Sequence, residues 1–155
     1  MGNICRSPLA QGLFEKLAHE HWLGGLVEVD SAATHSYQTG SAPDVRGQVA
    51  ARQHGFDIAA QRARKIAKRD FRRFDLIVGM DDQNAADLSA VCPDAYRERI
   101  RLLLDFAPDQ SVREVPDPYN GGPEDFQRAL ALIEIGSRGL LEHVMSIVRP
   151  PRSFS

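Results

Sequence analysis

Residues 76–80, Leu-Ile-Val-Gly-Met, form an unbroken apolar run behind an arginine-rich stretch, and that run restricts the fold more than anything else in the chain. A strand that is apolar at every position must be covered on both faces, which is the habit of a parallel sheet. Residues 100–104, Ile-Arg-Leu-Leu-Leu, repeat the pattern. Residues 26–31, Leu-Val-Glu-Val-Asp-Ser, add a third short β-rich segment. Helical signals lie between them. Leu9, Leu13, Phe14 and Leu17 recur at helical spacing behind Ser7-Pro8, a pair suited to the N-cap and first helical positions, and Gly24-Gly25 is expected to stop that helix. Residues 43–54 read as a helix closed by Gly55, and residues 82–91 as another. Residues 123–148 read as the longest, with Phe126, Leu130, Ile133, Leu140, Leu141 and Val144 on one stripe.

Strands alternating with helices predict an α/β fold with a single open, mainly parallel sheet and helices on both faces. Three visible strands are few for such a sheet. The 155 residues suit one domain, assigned to residues 1–148, with residues 149–155 as a flexible tail. A net charge of −2 leaves no cationic excess to displace the counterions of a nucleic acid. The local run Arg62, Arg64, Lys65, Lys68, Arg69, Arg72 and Arg73 reads as a solvated helical face rather than a docking patch for an acidic partner. No apolar stretch approaches the ~20 residues of a membrane span, so no membrane partner is expected. Two cysteines, Cys5 and Cys92, are too few for a disulfide framework or a zinc site. A reducing, cytoplasmic setting is the expectation, with no metal or organic cofactor.

The chemistry is concentrated at the front. Gly2, Asn3, Ile4, Cys5, Arg6 and Ser7 run directly into the first helix. A helix start offers unpaired N–H groups and a positive dipole end, Gly2 lets backbone approach closely, and an arginine grips two phosphate oxygens at once. From residue types alone, a phosphate cradle and a plainly capped helix beginning with Arg stand as equal readings.

Gly-Asn-Ile-Cys-Arg-Ser-Pro (residues 2–8) resembles the phosphate loop of the low-molecular-weight protein tyrosine phosphatases, whose pattern is Cys, five residues, Arg, Ser-Pro. Further segments resemble the family in order, among them Val-Asp-Ser-Ala-Ala-Thr-His (29–35), Asp-Leu-Ile-Val-Gly-Met-Asp (75–81) and Val-Pro-Asp-Pro-Tyr-Asn-Gly-Gly (115–122). The resemblance implies the phosphotyrosine phosphatase I-like α/β fold, with its first central strand missing here. It makes Arg6 the phosphate-gripping arginine, Ser7 the hydroxyl supporting the nucleophile, Asn3 the keeper of the loop's shape and Cys5 the second cysteine. The nucleophilic cysteine then belongs immediately before Met1. Neither cysteine present has the spacing: six residues on from Cys5 is Gln11, and six on from Cys92 is Glu98. The expectation is therefore that the true start lies upstream, that Met1 is internal, and that this chain is inactive. A missing central strand would leave buried amides unpaired at about 1–3 kcal/mol each, so the 155 residues are expected to fold poorly.

The implied reaction is hydrolysis of a phosphotyrosine protein, or a small aryl phosphate, through a phosphocysteine intermediate with release of inorganic phosphate. Asp117 would be the general acid, and Tyr37 and Tyr119 the walls of the substrate cleft. Asn120 and Gln61 depart from the family, which often carries a second aromatic at the first and a histidine at the second. Asp81-Asp82 is read as a helix cap, with Asp81 also in reach of the loop. His19, His21, His35 and His54 show no pattern for metal or base work. Two alternatives are carried: a catalytically dead phosphate- or phosphotyrosine-binding module, and an arsenate reductase of the same fold, which would need a resolving cysteine pair.

Overall fold

The two apolar runs pair with each other. Ile77–Gly79 (β1) lies parallel to Ile100–Leu102 (β2), with Ile77 opposite Ile100 and Gly79 opposite Leu102. The structure is a computed structural model that describes residue 2 and residues 4–148; the expectations for Asn3 and for the tail 149–155 fall outside the described residues. Around the sheet stand α1 (Arg6–Glu20), α2 (Val45–Gln53), α3 (Lys68–Arg73), α4 (Asp82–Val91) and α5 (Pro123–Val148).

Consecutive residues of β1 feed opposite cores. Ile77 joins Phe71, Leu88 and Cys92 in a small cluster. Val78 and Met80 pack on the large cluster, built from Leu9, Leu13 and Leu17 of α1 and Phe126, Leu130 and Ile133 of α5. Helices thus cover both faces, as an unbroken apolar run demands. Phe126, Leu130 and Ile133 are fully buried, each contributing about 1.5–3 kcal/mol of transfer free energy. α5 begins on Pro123, where a missing N–H costs nothing. It lies so close to the 3-10 turn Leu103–Phe106 that a Cβ on Gly139 would strike the Phe106 carbonyl.

Several expectations are corrected. Residues 26–31 do not form a strand: the nearest β contact is a single parallel bridge, Ala33 to Lys65. A β-rich segment becomes a strand only when a neighbour takes its N–H and C=O groups. Among the described residues the sheet therefore has two strands rather than three. β2 stops at Leu102, because Asp105 turns back to accept the Leu102 N–H at 3.1 Å and winds the next residues into the 3-10 turn. α1 starts at Arg6 with Cys5 at the N-cap, so Ser7 sits inside the first turn and caps nothing. α1 also ends at Glu20, before the Gly pair: Trp22 takes a left-handed φ of 63° and the Leu23 N–H closes on the Ala18 carbonyl at 2.7 Å. α2 is slightly shorter than expected, with Asp44 at its N-cap; Gly55 follows its C-cap at φ 85°, the closing role expected of it.

Candidate active site

Arg6 sets the geometry. Its side chain is 4% exposed, and Nη1 donates both to Asp81 Oδ2 at 2.7 Å and to the Val115 carbonyl at 2.6 Å. Those two bonds use both Nη1 hydrogens. Among the described residues nothing engages Nε or Nη2. The guanidinium is therefore anchored by one corner, and the edge that can clasp two oxygens stays available. Asp81 is itself fixed as N-cap of α4, accepting the Asn84 N–H at 2.7 Å. Burial tends to raise its pKa, but the Asn84 amide and Arg6 outweigh burial and hold the carboxyl below its usual range. Asp81 is thus both the helix cap and the loop contact anticipated from its position.

The loop is held at its other end by main chain. The Asp44 N–H donates to the Ile4 carbonyl at 2.8 Å, tying the loop to the start of α2. Gly2 abuts residues 37–38, and a Cβ there would lie 2.7 Å from Gln38 Cγ. No side chain caps the first turn of α1 and no acidic residue sits in it, so its amides and dipole end are left for an anion. Gln61 reaches the same turn: its Nε2 donates to the Pro8 carbonyl at 3.1 Å, while its buried Oε1 lacks a partner.

The rim carries the remaining expected residues. Asp117 is exposed, and its Oδ1 accepts the Tyr119 N–H at 3.1 Å. Tyr37 and Tyr119 are exposed, and with Asp117, Gly2, Ile4, Cys5, Arg6 and Ser7 they line one cavity of about 770 Å³. Asn120, a departure from the family, lines it too. The Cys5 thiol is buried and its pKa is pushed up to about 12, first by burial and then by the Asp117 and Asp44 carboxylates. Burial therefore favours its protonated form at neutral pH. Cys92 belongs to the small core on the other face of β1, where burial raises its pKa as well. The two sulfurs do not form a relay pair.

Sequence reasoning missed Arg46. Its Nη2 donates to Asp44 at 2.8 Å and to the Tyr119 carbonyl at 2.8 Å, its Nη1 to the Gly121 carbonyl at 2.5 Å, and its guanidinium lies 4.6 Å from the Phe126 ring centre. It clamps the segment after Asp117 onto α2. The only sequence signal is Asp44 at an N-cap with Arg46 two residues on, and it does not disclose the distant carbonyls. Arg64 pairs with Asp30 and Asp70, and Arg73 with Glu28, so the basic run is partly neutralised within the fold. His21 and His54 each bond a helix carbonyl through Nδ1. Among the described residues no group of three His, Cys, Asp or Glu side chains is placed to hold a metal ion, and no helix is long and apolar enough to cross a membrane.

Comparison with known proteins agrees with this geometry. The family model for low molecular weight phosphotyrosine protein phosphatase matches residues 1–149. The chain is 33% identical to the low molecular weight protein-tyrosine-phosphatase YfkJ of Bacillus subtilis, covering 93% of this chain and 91% of that protein. It is 39% identical to the human low molecular weight phosphotyrosine protein phosphatase, over 82% of this chain and 80% of the relative. Among solved structures, a protein tyrosine phosphatase from Entamoeba histolytica superposes with a TM-score of 0.90 at 34% identity, covering 94% of this chain and 93% of that one. A match of this extent in sequence and in fold means that the chain belongs to the low molecular weight protein-tyrosine phosphatases, which are phosphoric monoester hydrolases.

Proposed function

We propose that the domain hydrolyses phosphotyrosine esters through a phosphocysteine intermediate, with Arg6 as the oxyanion grip and Asp117 as the general acid. The observation that carries the reading is the half-anchored Arg6: Nη1 is spent on Asp81 and Val115, and the Nε–Nη2 edge is left at the amino end of α1. A thiolate attacks phosphorus in line as the bond to the phenolic oxygen breaks. The equatorial oxygens rest on Arg6 and the loop amides, which stabilise charge where it develops. Asp117 gives its proton to the leaving phenolate, then accepts one from the water that cleaves the sulfur–phosphorus bond and frees inorganic phosphate. Tyr37 and Tyr119 flank the aromatic ring of the substrate, a phosphotyrosine protein or a small aryl phosphate.

The chemistry requires a thiolate that neither cysteine of these residues is suited to supply: burial pushes the Cys5 thiol up to about 12, and Cys92 lies in a separate core. A thiolate of this kind works in a reducing compartment, which favours the cytoplasm. The separate placement of the two cysteines weighs against an arsenate reductase relay.

The test is to join an apolar strand ending in cysteine to Met1 and assay p-nitrophenyl phosphate. Hydrolysis inhibited by vanadate, with none from the 155 residues alone, is the expected result. A folded, extended protein that binds vanadate without turnover would leave a binding module; one that neither binds nor hydrolyses would end the phosphatase reading.

A further inference from the structure

The basic run of residues 62–73 does not form the helical face expected of it. Lys68 and the residues after it lie on α3, but Arg62 and Lys65 belong to the irregular segment before it, where Lys65 is bridged to Ala33. Arg64 and Arg73 of the run hold the carboxylates of Asp30, Asp70 and Glu28. Arg62 bonds two carbonyls, those of Ala59 and Gln61. Among the described residues no carboxylate forms an ion pair with Arg62, Lys65, Lys68, Arg69 or Arg72, and all of them are exposed. In a chain of net charge −2 this is a concentration of unspent positive charge, and Lys68 with Arg72 is a like-charge i,i+4 pair that acts against α3. The cluster also adjoins the cleft. Residues 33–41, which carry the Tyr37 wall, are laced at both ends to residues 63–66. The Ala33 N–H donates to the Arg64 carbonyl at 2.7 Å and the Ile66 N–H to the Ala33 carbonyl at 2.8 Å. At the other end the Gly40 N–H donates to the Ala63 carbonyl at 2.7 Å and the Ala63 N–H to the Ser41 carbonyl at 2.8 Å. Arg64 and Ile66 line the cavity itself.

We infer that this cationic strip is a docking surface for acidic residues flanking the phosphotyrosine of a protein substrate. A substrate chain that leaves the cleft over the Tyr37 wall crosses the segment laced to it and meets Lys65 and Arg62, with Lys68 and Arg69 beyond. Exposed ion pairs are individually weak, so the preference comes from several together and is sensitive to salt. Complementary charge of this kind at a rim selects among partners and speeds their encounter. A small aryl phosphate has no flanks, and for it the strip is silent. The inference rests on the phosphotyrosine reading for the central residue of the ligand, while the charge preference is measured separately from turnover.

The probes are two fluorescent phosphotyrosine peptides, one with three glutamates on each side of the phosphotyrosine and one with alanines there, titrated into the 155-residue chain. The glutamate peptide should bind at least about tenfold more tightly at low salt, and the ratio should fall toward one at about 0.5 M salt. The double variant Lys65→Glu, Arg69→Glu should abolish that ratio, with binding of the alanine peptide and the urea midpoint unchanged because both side chains are exposed. The same ratio is then read as kcat/KM in the cysteine-bearing extended protein, where the double variant should leave p-nitrophenyl phosphate hydrolysis as it was. Equal binding of the two peptides, binding of neither, or a ratio undiminished in the double variant would each overturn the inference. A parallel loss for both peptides would overturn it too, because the two cations would then serve the fold. Acid-selective binding with no turnover of either peptide would retain the strip and remove the phosphatase reading. Turnover of both peptides at equal kcat/KM would do the reverse.

Discussion

Two arginines hold the site, and they do so in opposite ways. Arg6 is buried, bonded to one carboxylate and one carbonyl, and fixes the floor. Arg46 is half-exposed, shares its charge with Asp44 and two loop carbonyls, and fixes the rim. A buried cation that loses its partner cannot recover the loss from solvent, whereas a half-exposed one exchanges its partners for water at little cost. The floor is therefore a matter of folding and the rim a matter of positioning.

The largest expected effect strips the floor. Asp81→Ala leaves the Arg6 guanidinium buried and half-paired and removes the N-cap of α4, costing about 3–5 kcal/mol in a urea titration. A cost no greater than that of Arg46→Ala would break the comparison. Next comes the rim acid. In the cysteine-bearing extended protein, Asp117→Asn should lower kcat about a hundredfold, equivalent to about 2.7 kcal/mol, and leave the urea midpoint unmoved because Asp117 is exposed. A shifted midpoint would make Asp117 part of the scaffold.

The third effect is in pH. The carboxyl of Asp81 is held below its usual range in the fold, so the unfolded chain protonates first as acid is added. Its contribution is complete above the ordinary carboxylate pKa, near 3.8, and is lost as pH falls through the lower folded value. The acid limb of the stability profile should be shallower in Asp81→Asn than in the parent. Parallel limbs would mean that Arg6 and Asp81 are not coupled. The smallest effect belongs to the clamp. Arg46→Met should leave global stability nearly unchanged while hydrogen exchange quickens at the Gly121 amide, which bonds the Pro118 carbonyl at 2.9 Å. Unaltered exchange there would deny Arg46 its positioning role.

What was legible in the sequence follows the range of the forces involved. β1 and α5 were readable from residues 76–80 and 123–148 because burial on two faces, or on one stripe, is written in local apolar spacing. Residues 26–31 misled because strand formation depends on a neighbour that local composition cannot supply. At the site, residue types and family likeness brought Arg6, Asp117 and Tyr119 to notice, and Asp81 through its capping position. The Val115 carbonyl was invisible because a main-chain oxygen carries no residue identity. Arg46 was overlooked because two of its acceptors are main-chain oxygens lying more than seventy positions along the chain.

The Val115 backbone makes a final point. Its N–H goes to the Met80 carbonyl at 2.9 Å, and its own carbonyl accepts from Arg6. The stretch bearing Asp117 is thereby riveted, two residues upstream, to the end of β1 and to the Arg6 guanidinium. The carboxyl of Asp117 thus stands two residues from a residue fixed at both its N–H and its C=O, while the residues after it answer to a separate tether, the Arg46 clamp.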